Sequence, residues 1–69
     1  MKEYWDDEFL VVEIDEQVNR PIEIKKVDGS SSVYPTQEKD SKTIIKIHQD
    51  SIAFLAPGSI QSAIAEAIL

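Results

Sequence analysis

Isoleucine outnumbers leucine ten to three in this chain of 69 residues. Because β-branched side chains pack well on the pleated surface of a strand, this bias favours a β-rich fold. Ile, Val, Leu and Phe together make up 20 of the 69 residues, which is enough to drive folding. The chain has no cysteine, so no disulfide adds to the limited core of so short a sequence. We therefore expect one small domain over residues 1–69 that gains stability from a partner surface, with a homodimer favoured.

Apolar and alternating runs predict an antiparallel sheet of three to four strands. Three strands are expected over residues 9–16, 22–27 and 43–48. The run 52–56 is expected to form a fourth strand after a short hairpin at 48–51, with one long bent strand as the alternative. Asp28 and Gly29 predict a tight turn. Segment 30–42 is polar and is expected to be an exposed loop.

The end of the chain predicts a single helix over residues 59–69, with Ser59 as its N-cap. Five apolar or small side chains fall on one helix face, namely Ile60, Ala63, Ile64, Ala67 and Ile68. We expect this face to pack on the sheet or on a second copy of the chain. The opposite face carries one charge, Glu66, so contact with a twin helix or a partner's groove is a further alternative. The expected fold class is α+β, a small antiparallel sheet with one C-terminal α-helix packed on it.

The net charge of −6 belongs entirely to the first quarter of the chain. Residues 1–16 hold seven acidic side chains against Lys2 alone, and the remainder balances to zero. Direct binding to nucleic acid or to a membrane surface requires clustered positive charge, so neither is expected. No apolar run approaches the roughly 20 residues that cross a bilayer. The start of the sequence does not resemble a signal peptide, and the lack of cysteine suits a reducing cytoplasm, where we expect the protein.

The acidic N-terminal segment 1–8 is the strongest candidate for a binding site. Its aromatic and acidic side chains are consecutive, namely Tyr4, Trp5, Asp6, Asp7 and Glu8. Tyrosine and tryptophan are enriched among interface hot spots, and negative charge speeds encounters with a basic surface. This pattern predicts a non-enzymatic protein–protein interaction module that binds a basic partner, such as a small accessory, regulatory or inhibitor protein of bacterial or phage type. The competing interpretation is a solvated acidic face that keeps the protein soluble.

Residues that could carry catalysis or hold a cofactor are few. His48 is the only histidine, and it lies within four residues of Asp50 and Ser51, whereas the members of a catalytic triad converge from separate elements. The acids at 6–8 lack the spacing of a calcium loop, and no glycine-rich phosphate loop is present. We therefore expect no catalytic residue, no metal and no cofactor.

Two alternatives to the interaction module remain open. The first is an assembly subunit whose sheet edges or C-terminal helix pair between copies. The second is a ligand-binding or enzymatic site that forms between protomers, near His48 and the 30–42 segment.

Overall fold

Two antiparallel sheets and a C-terminal helix build the fold, as the computed structural model shows for residues 1–55 and 60–69. Within these residues the elements are β1 (Lys2–Asp6), β2 (Phe9–Ile14), β3 (Ile22–Lys25), β4 (Ser31–Tyr34), β5 (Gln37–Lys39), β6 (Lys42–His48), α1 (Gln49–Ile52) and α2 (Ile60–Ile68). The predicted α+β class is confirmed, including the antiparallel sheet and the C-terminal helix.

The main sheet has the strand order β1-β2-β6-β5, and every neighbouring pair in it is antiparallel. Strands β2 and β6 lie at its centre. Because side chains alternate along a strand, each of these two strands presents one row to the core face of the sheet and one row to its outer face. The core-facing rows are Leu10, Val12 and Ile14 on β2 and Thr43, Ile45 and Ile47 on β6, and all six residues are buried.

A second layer covers the core face of the main sheet. It consists of the β3–β4 hairpin and helix α2, with Ile22, Ile24 and Ile64 fully buried in the shared core. The other predicted helix-face residues, Ile60, Ala63, Ala67 and Ile68, are partly buried against the same core. Burying an aliphatic side chain of this size contributes about 1.5–3 kcal/mol, so each of these isoleucines stabilises the fold substantially.

Three tight turns join neighbouring strands. Asp7 and Glu8 link β1 to β2, and Asp7 has a φ of 58°. Asp40 and Ser41 link β5 to β6 with φ values of 52° and 65°, the backbone signs of a type I′ turn. The predicted Asp28–Gly29 turn lies between β3 and β4, where the Asp28 carboxylate accepts a 2.9 Å hydrogen bond from the amide of Ser30.

The predicted fourth strand and the hairpin before it are wrong. His48 ends β6, and its Nδ1 atom accepts a 3.1 Å hydrogen bond from the Asp50 amide, which caps the single helical turn α1. Beyond α1, Phe54 is exposed, and Leu55 forms only an isolated bridge with Lys26. Ala56, the last residue of the predicted strand, lies outside the described residues, as does the predicted N-cap Ser59.

The predicted loop over 30–42 is also wrong, because this segment contains β4 and β5. Their backbones pair with β3 and β6, while many of their polar side chains face solvent. The acidic segment 1–8 likewise forms β1 and a turn. Neither helix among the described residues combines the length and apolar character needed to cross a bilayer.

Candidate interaction site

Strand β1, which contains most of the predicted binding segment, is an edge strand of the main sheet. It pairs with β2 from Lys2↔Glu13 to Asp6↔Phe9, and all five of its residues are exposed. A strand with charged and polar side chains on both faces gains little from a central position, so an edge suits it. The β1–β2 hairpin therefore presents this segment to solvent along one edge of the molecule.

The two aromatic side chains of β1 lie on opposite faces of the sheet. Tyr4 is opposite Val11 on the outer face, and Trp5 is opposite Leu10 on the core face. Tyr4 is 39% exposed and Trp5 is 58% exposed, so neither is buried in the core. A partner that docks on a single face of the sheet can therefore contact only one of them.

Tyr4 interacts with charged neighbours on the outer face. The Nζ atom of Lys2 lies 5.7 Å from the centre of the Tyr4 ring, within range of a cation–π interaction. The Tyr4 hydroxyl donates a hydrogen bond to the Glu13 carboxylate, which raises the pKa of Tyr4 above its ordinary value of 10.0; partial burial and the negative charges of Glu13 and Asp6 act in the same direction. Tyr4 thereby ties the edge strand to β2.

The acids at the β1–β2 turn, Asp6, Asp7 and Glu8, form one end of the hairpin, which we call the acidic turn. The end of β6 lies beside it, because Phe9 pairs with His48 and the Gln49 amide donates a 2.9 Å hydrogen bond to the Glu8 carbonyl. The Nε2 atom of His48 lies 3.2 Å from a carboxylate oxygen of Glu8. Asp50 adds a fourth carboxylate at this end, 3.6 Å from His48 Nδ1.

Two further acids, Glu13 and Asp15, lie at the opposite end of the hairpin, beside positive charge. The Met1 amino group lies 3.0 Å from the Asp15 carboxylate, and this contact holds the pKa of Asp15 below its ordinary value of 3.8. Lys42 lies 3.6 Å from Glu13 and 3.9 Å from Asp15. The seven carboxylates therefore do not form a single patch.

His48 has a structural role in this arrangement. Its Nδ1 caps α1, its Nε2 faces Glu8, and its ring packs edge-on against Phe9 with 5.3 Å between ring centres. The 30–42 segment joins β6 near Lys42, at the end of the strand far from His48, so the chain itself does not bring the two together. Across residues 1–55 and 60–69, no cluster of three His, Cys, Asp or Glu side chains could hold a metal ion.

The sequence pattern did not indicate that His48 and Asp50 lie at the acidic end of the hairpin. Both follow from the antiparallel pairing of β2 with β6, which places residue 48 opposite residue 9. The alternation of apolar residues predicted each strand separately, but it contains no information about which strands become neighbours or in what register.

The fold and this surface define a small α+β protein with a charged β-hairpin exposed at the edge of its main sheet. No family model, curated protein or solved structure matches the chain.

Proposed function

We propose that this protein is a non-enzymatic interaction module, a small accessory, regulatory or inhibitor protein that binds a basic partner protein at the acidic turn. The observation that carries the proposal is the difference between the two ends of the β1–β2 hairpin. Among the described residues, no Lys or Arg forms an ion pair with Asp6, Asp7, Glu8 or Asp50, whereas Glu13 and Asp15 are both paired.

Carboxylates without a Lys or Arg partner among the described residues, gathered at one end of the molecule, create a local negative potential. Such a potential raises the rate at which a positively charged surface meets the binding site, and it favours the correct orientation of the partner. Asp15 and Glu13 contribute less, because Met1 and Lys42 offset their charge. The proposed contact is therefore smaller than the whole acidic segment and is centred on residues 6–8 with Asp50.

The aromatic side chains contribute less to this contact than the sequence indicated. Tyr4 and Trp5 face opposite sides of the sheet, so a basic surface seated on the acidic turn reaches at most one of them. Trp5 is the more exposed of the two. We assign recognition of the basic partner to the carboxylates alone. The cytoplasmic setting expected from the cysteine-free sequence belongs to the same proposal.

Charge reversal tests the proposed contact. The immobilised double variant Asp7→Lys/Glu8→Lys is compared with the native protein for capture of basic proteins from a host lysate, at about 50 mM and about 500 mM salt. The native protein is expected to retain partners with basic surfaces at low salt and to lose most of them at high salt. The double variant is expected to lose them at both.

The matched control is Glu38→Lys/Glu66→Lys, which changes the net charge equally at two exposed sites away from the acidic turn. This control is expected to retain the partners. Equal loss of captured partners in the two double variants would show that only overall charge matters. Capture that does not change with salt concentration would also contradict the proposal.

A second candidate function is the assembly of copies of this chain. The specific observation in its favour is the edge position of β1, a strand with five exposed residues and, among residues 1–55 and 60–69, a neighbouring strand on one side only. Exposed edges of this kind are templates for pairing with another strand.

A further inference from the structure

We propose that the free edge of β1 binds β1 of a second copy of this chain, antiparallel, with Tyr4 opposite Tyr4 of the second copy. The two main sheets would then form one continuous sheet across a two-fold axis. This inference does not rest on the proposed basic partner, because it is argued from the backbone and the charges along β1, which shares only Asp6 with the acidic turn.

The backbone of β1 has the hydrogen-bonding groups that this pairing needs. The Glu8 carbonyl accepts from the Gln49 amide, so the even-numbered residues of β2 direct their N–H and C=O groups towards β6. The odd-numbered residues of β2 therefore bond to β1, where their partners are Lys2, Tyr4 and Asp6. The N–H and C=O groups of Glu3 and Trp5 consequently point away from the sheet, towards the open edge.

Charge selects the register of the pairing. With Tyr4 opposite itself, Glu3 pairs with Trp5 of the second copy, and their outward N–H and C=O groups meet. Lys2 then lies opposite Asp6 of the second copy, and the two-fold axis produces this unlike pair twice. Opposite charges directly across two strands stabilise a sheet, whereas like charges destabilise it.

The neighbouring registers that keep the same backbone parity are unfavourable. A shift in one direction places Glu3 opposite itself, and a shift in the other places Glu3 opposite Asp7 of the second copy. The first arrangement sets like charges directly across the interface. The second places Lys2 and Glu3 opposite the turn residues Glu8 and Asp7, which lie outside β1, so its unlike pair is offset by a like pair and fewer strand residues are paired. A parallel arrangement with residues in register would stack each charge on its own copy.

The other edge of the main sheet is less suited to self-pairing. Strand β5 has three residues, and Gln37 and Lys39 lie opposite Ile44 and Lys42 of β6 in the bonded positions that follow from the Asp40–Ser41 turn. The outward groups of β5 therefore belong to Glu38, which would face Glu38 of the second copy. The edge of β1 is the one whose charges complement themselves.

The same register covers the exposed aromatic side chains. On the outer face, the two Tyr4 rings would lie directly opposite each other, in a pair without backbone hydrogen bonds where side chains approach most closely. On the core face, each Trp5 would lie opposite Glu3 and diagonal to Trp5 of the second copy, within reach of a large ring. Edge pairing thus gives both aromatic residues a contact, although they face opposite sides of the sheet.

A charge-swap series tests the register by sedimentation equilibrium of the full chain. Lys2→Asp and Asp6→Lys are each expected to weaken self-association about tenfold or more, because each places like charges opposite at both ends of the interface. The double variant Lys2→Asp/Asp6→Lys restores two unlike pairs, so it is expected to recover the native association. Circular dichroism of each variant checks that the fold is retained.

Net repulsion alone predicts a different result. Asp6→Lys replaces a negative charge with a positive one, which makes the net charge of −6 less negative by two units. It would therefore strengthen association if overall charge were decisive. Stronger association of Asp6→Lys, no recovery in the double variant, or a native chain that stays monomeric up to about 1 mM would each overturn the proposal.

Single cysteines give a second test, because the native chain has none. Only residue 4 lies opposite itself in the proposed register, at a separation that a disulfide can span. In a glutathione redox buffer, Tyr4→Cys is therefore expected to form a linked dimer, whereas Glu3→Cys and Trp5→Cys are not. Preferential linkage through residue 3 or residue 5 would overturn the register.

Discussion

The hydroxyl oxygen of Thr43 accepts a hydrogen bond from the buried backbone amide of Val18, with 2.9 Å between the two atoms. The same hydroxyl donates a 2.7 Å hydrogen bond to the carbonyl oxygen of Glu16. Thr43 is fully buried on β6, so one side chain ties the connection between β2 and β3 to a central strand of the sheet.

Replacement of Thr43 by valine is expected to destabilise the fold by about 1–3 kcal/mol, because it removes both hydrogen bonds and leaves a buried amide unpaired. Thr43→Ser retains the hydroxyl and loses only a methyl group, so it serves as the matched variant. Urea unfolding of the two variants is expected to rank valine as the less stable. The reverse order would show that packing, rather than hydrogen bonding, determines the role of Thr43.

Helix α2 is attached to the fold chiefly through Ile64, its fully buried residue. Ile64→Ala is expected to cost about 2–5 kcal/mol, and Ile64→Val about 0.5–1.5 kcal/mol, since each removes buried methyl or methylene groups and leaves a cavity. Leu69→Ala is the control, because Leu69 is fully exposed, and its effect is expected to stay within about 0.5 kcal/mol. Thermal unfolding followed by circular dichroism measures all three; a control as damaging as Ile64→Ala would contradict this account.

The Asp40–Ser41 turn contains a serine in the left-handed region, at a φ of 65°. A side chain is unfavourable in that conformation, so Ser41→Gly is expected to stabilise the protein by about 0.5–1 kcal/mol. Ser31→Gly is the same chemical change in the regular strand β4, and it is expected to destabilise by a similar amount. Shifts of the denaturation midpoint in opposite directions would verify this prediction, whereas shifts in the same direction in both variants would refute it.

The hydrogen bond from Tyr4 to Glu13 is expected to give the hairpin a dependence on alkaline pH. The pKa of Tyr4 is raised in the folded state, mainly by this hydrogen bond. The stabilising effect of the bond is therefore complete below pH 10.0, and it disappears as the pH rises through the folded-state pKa. Titration of tyrosinate absorbance is expected to show a high-pKa component that Tyr4→Phe removes and Glu13→Gln shifts down. A component unchanged in Glu13→Gln would exclude the proposed cause.

The sequence predicted those elements whose side chains alternate between core and solvent. The runs beginning at Phe9, Ile22 and Thr43 alternate or are strongly apolar, and each coincides with a strand of the structure, although the predicted strands 9–16 and 22–27 each extend two residues beyond the observed one. The spacing of Ile60, Ile64 and Ile68 likewise predicted the helix. Burial on one side imposes a period on a sequence, and that period was visible.

Elements without a buried face left no such period. All residues of β1 and β5 are exposed, so these strands carry no alternation that could reveal them. The run from Ile52 was wrongly predicted for the opposite reason. It has the apolar composition of a strand, but Phe54 within it is 61% exposed. The same lack of a period affected the candidate site. Tyr4 and Trp5 can be placed on opposite faces of the sheet only once residues 2–6 are known to form a strand.

The attachment of β1 through one ladder of hydrogen bonds has a dynamic consequence. None of its five residues belongs to the buried cluster, so local unfolding of β1 requires far less free energy than unfolding of β6. In the open form, in which β1 is detached from the sheet, β2 would become an edge strand. Val11, which is 2% exposed when β1 is in place, would then become exposed. Amide hydrogen exchange at Tyr4 and Asp6 should therefore be much faster than at Ile45, and the open form would be the most aggregation-prone species of the folded protein.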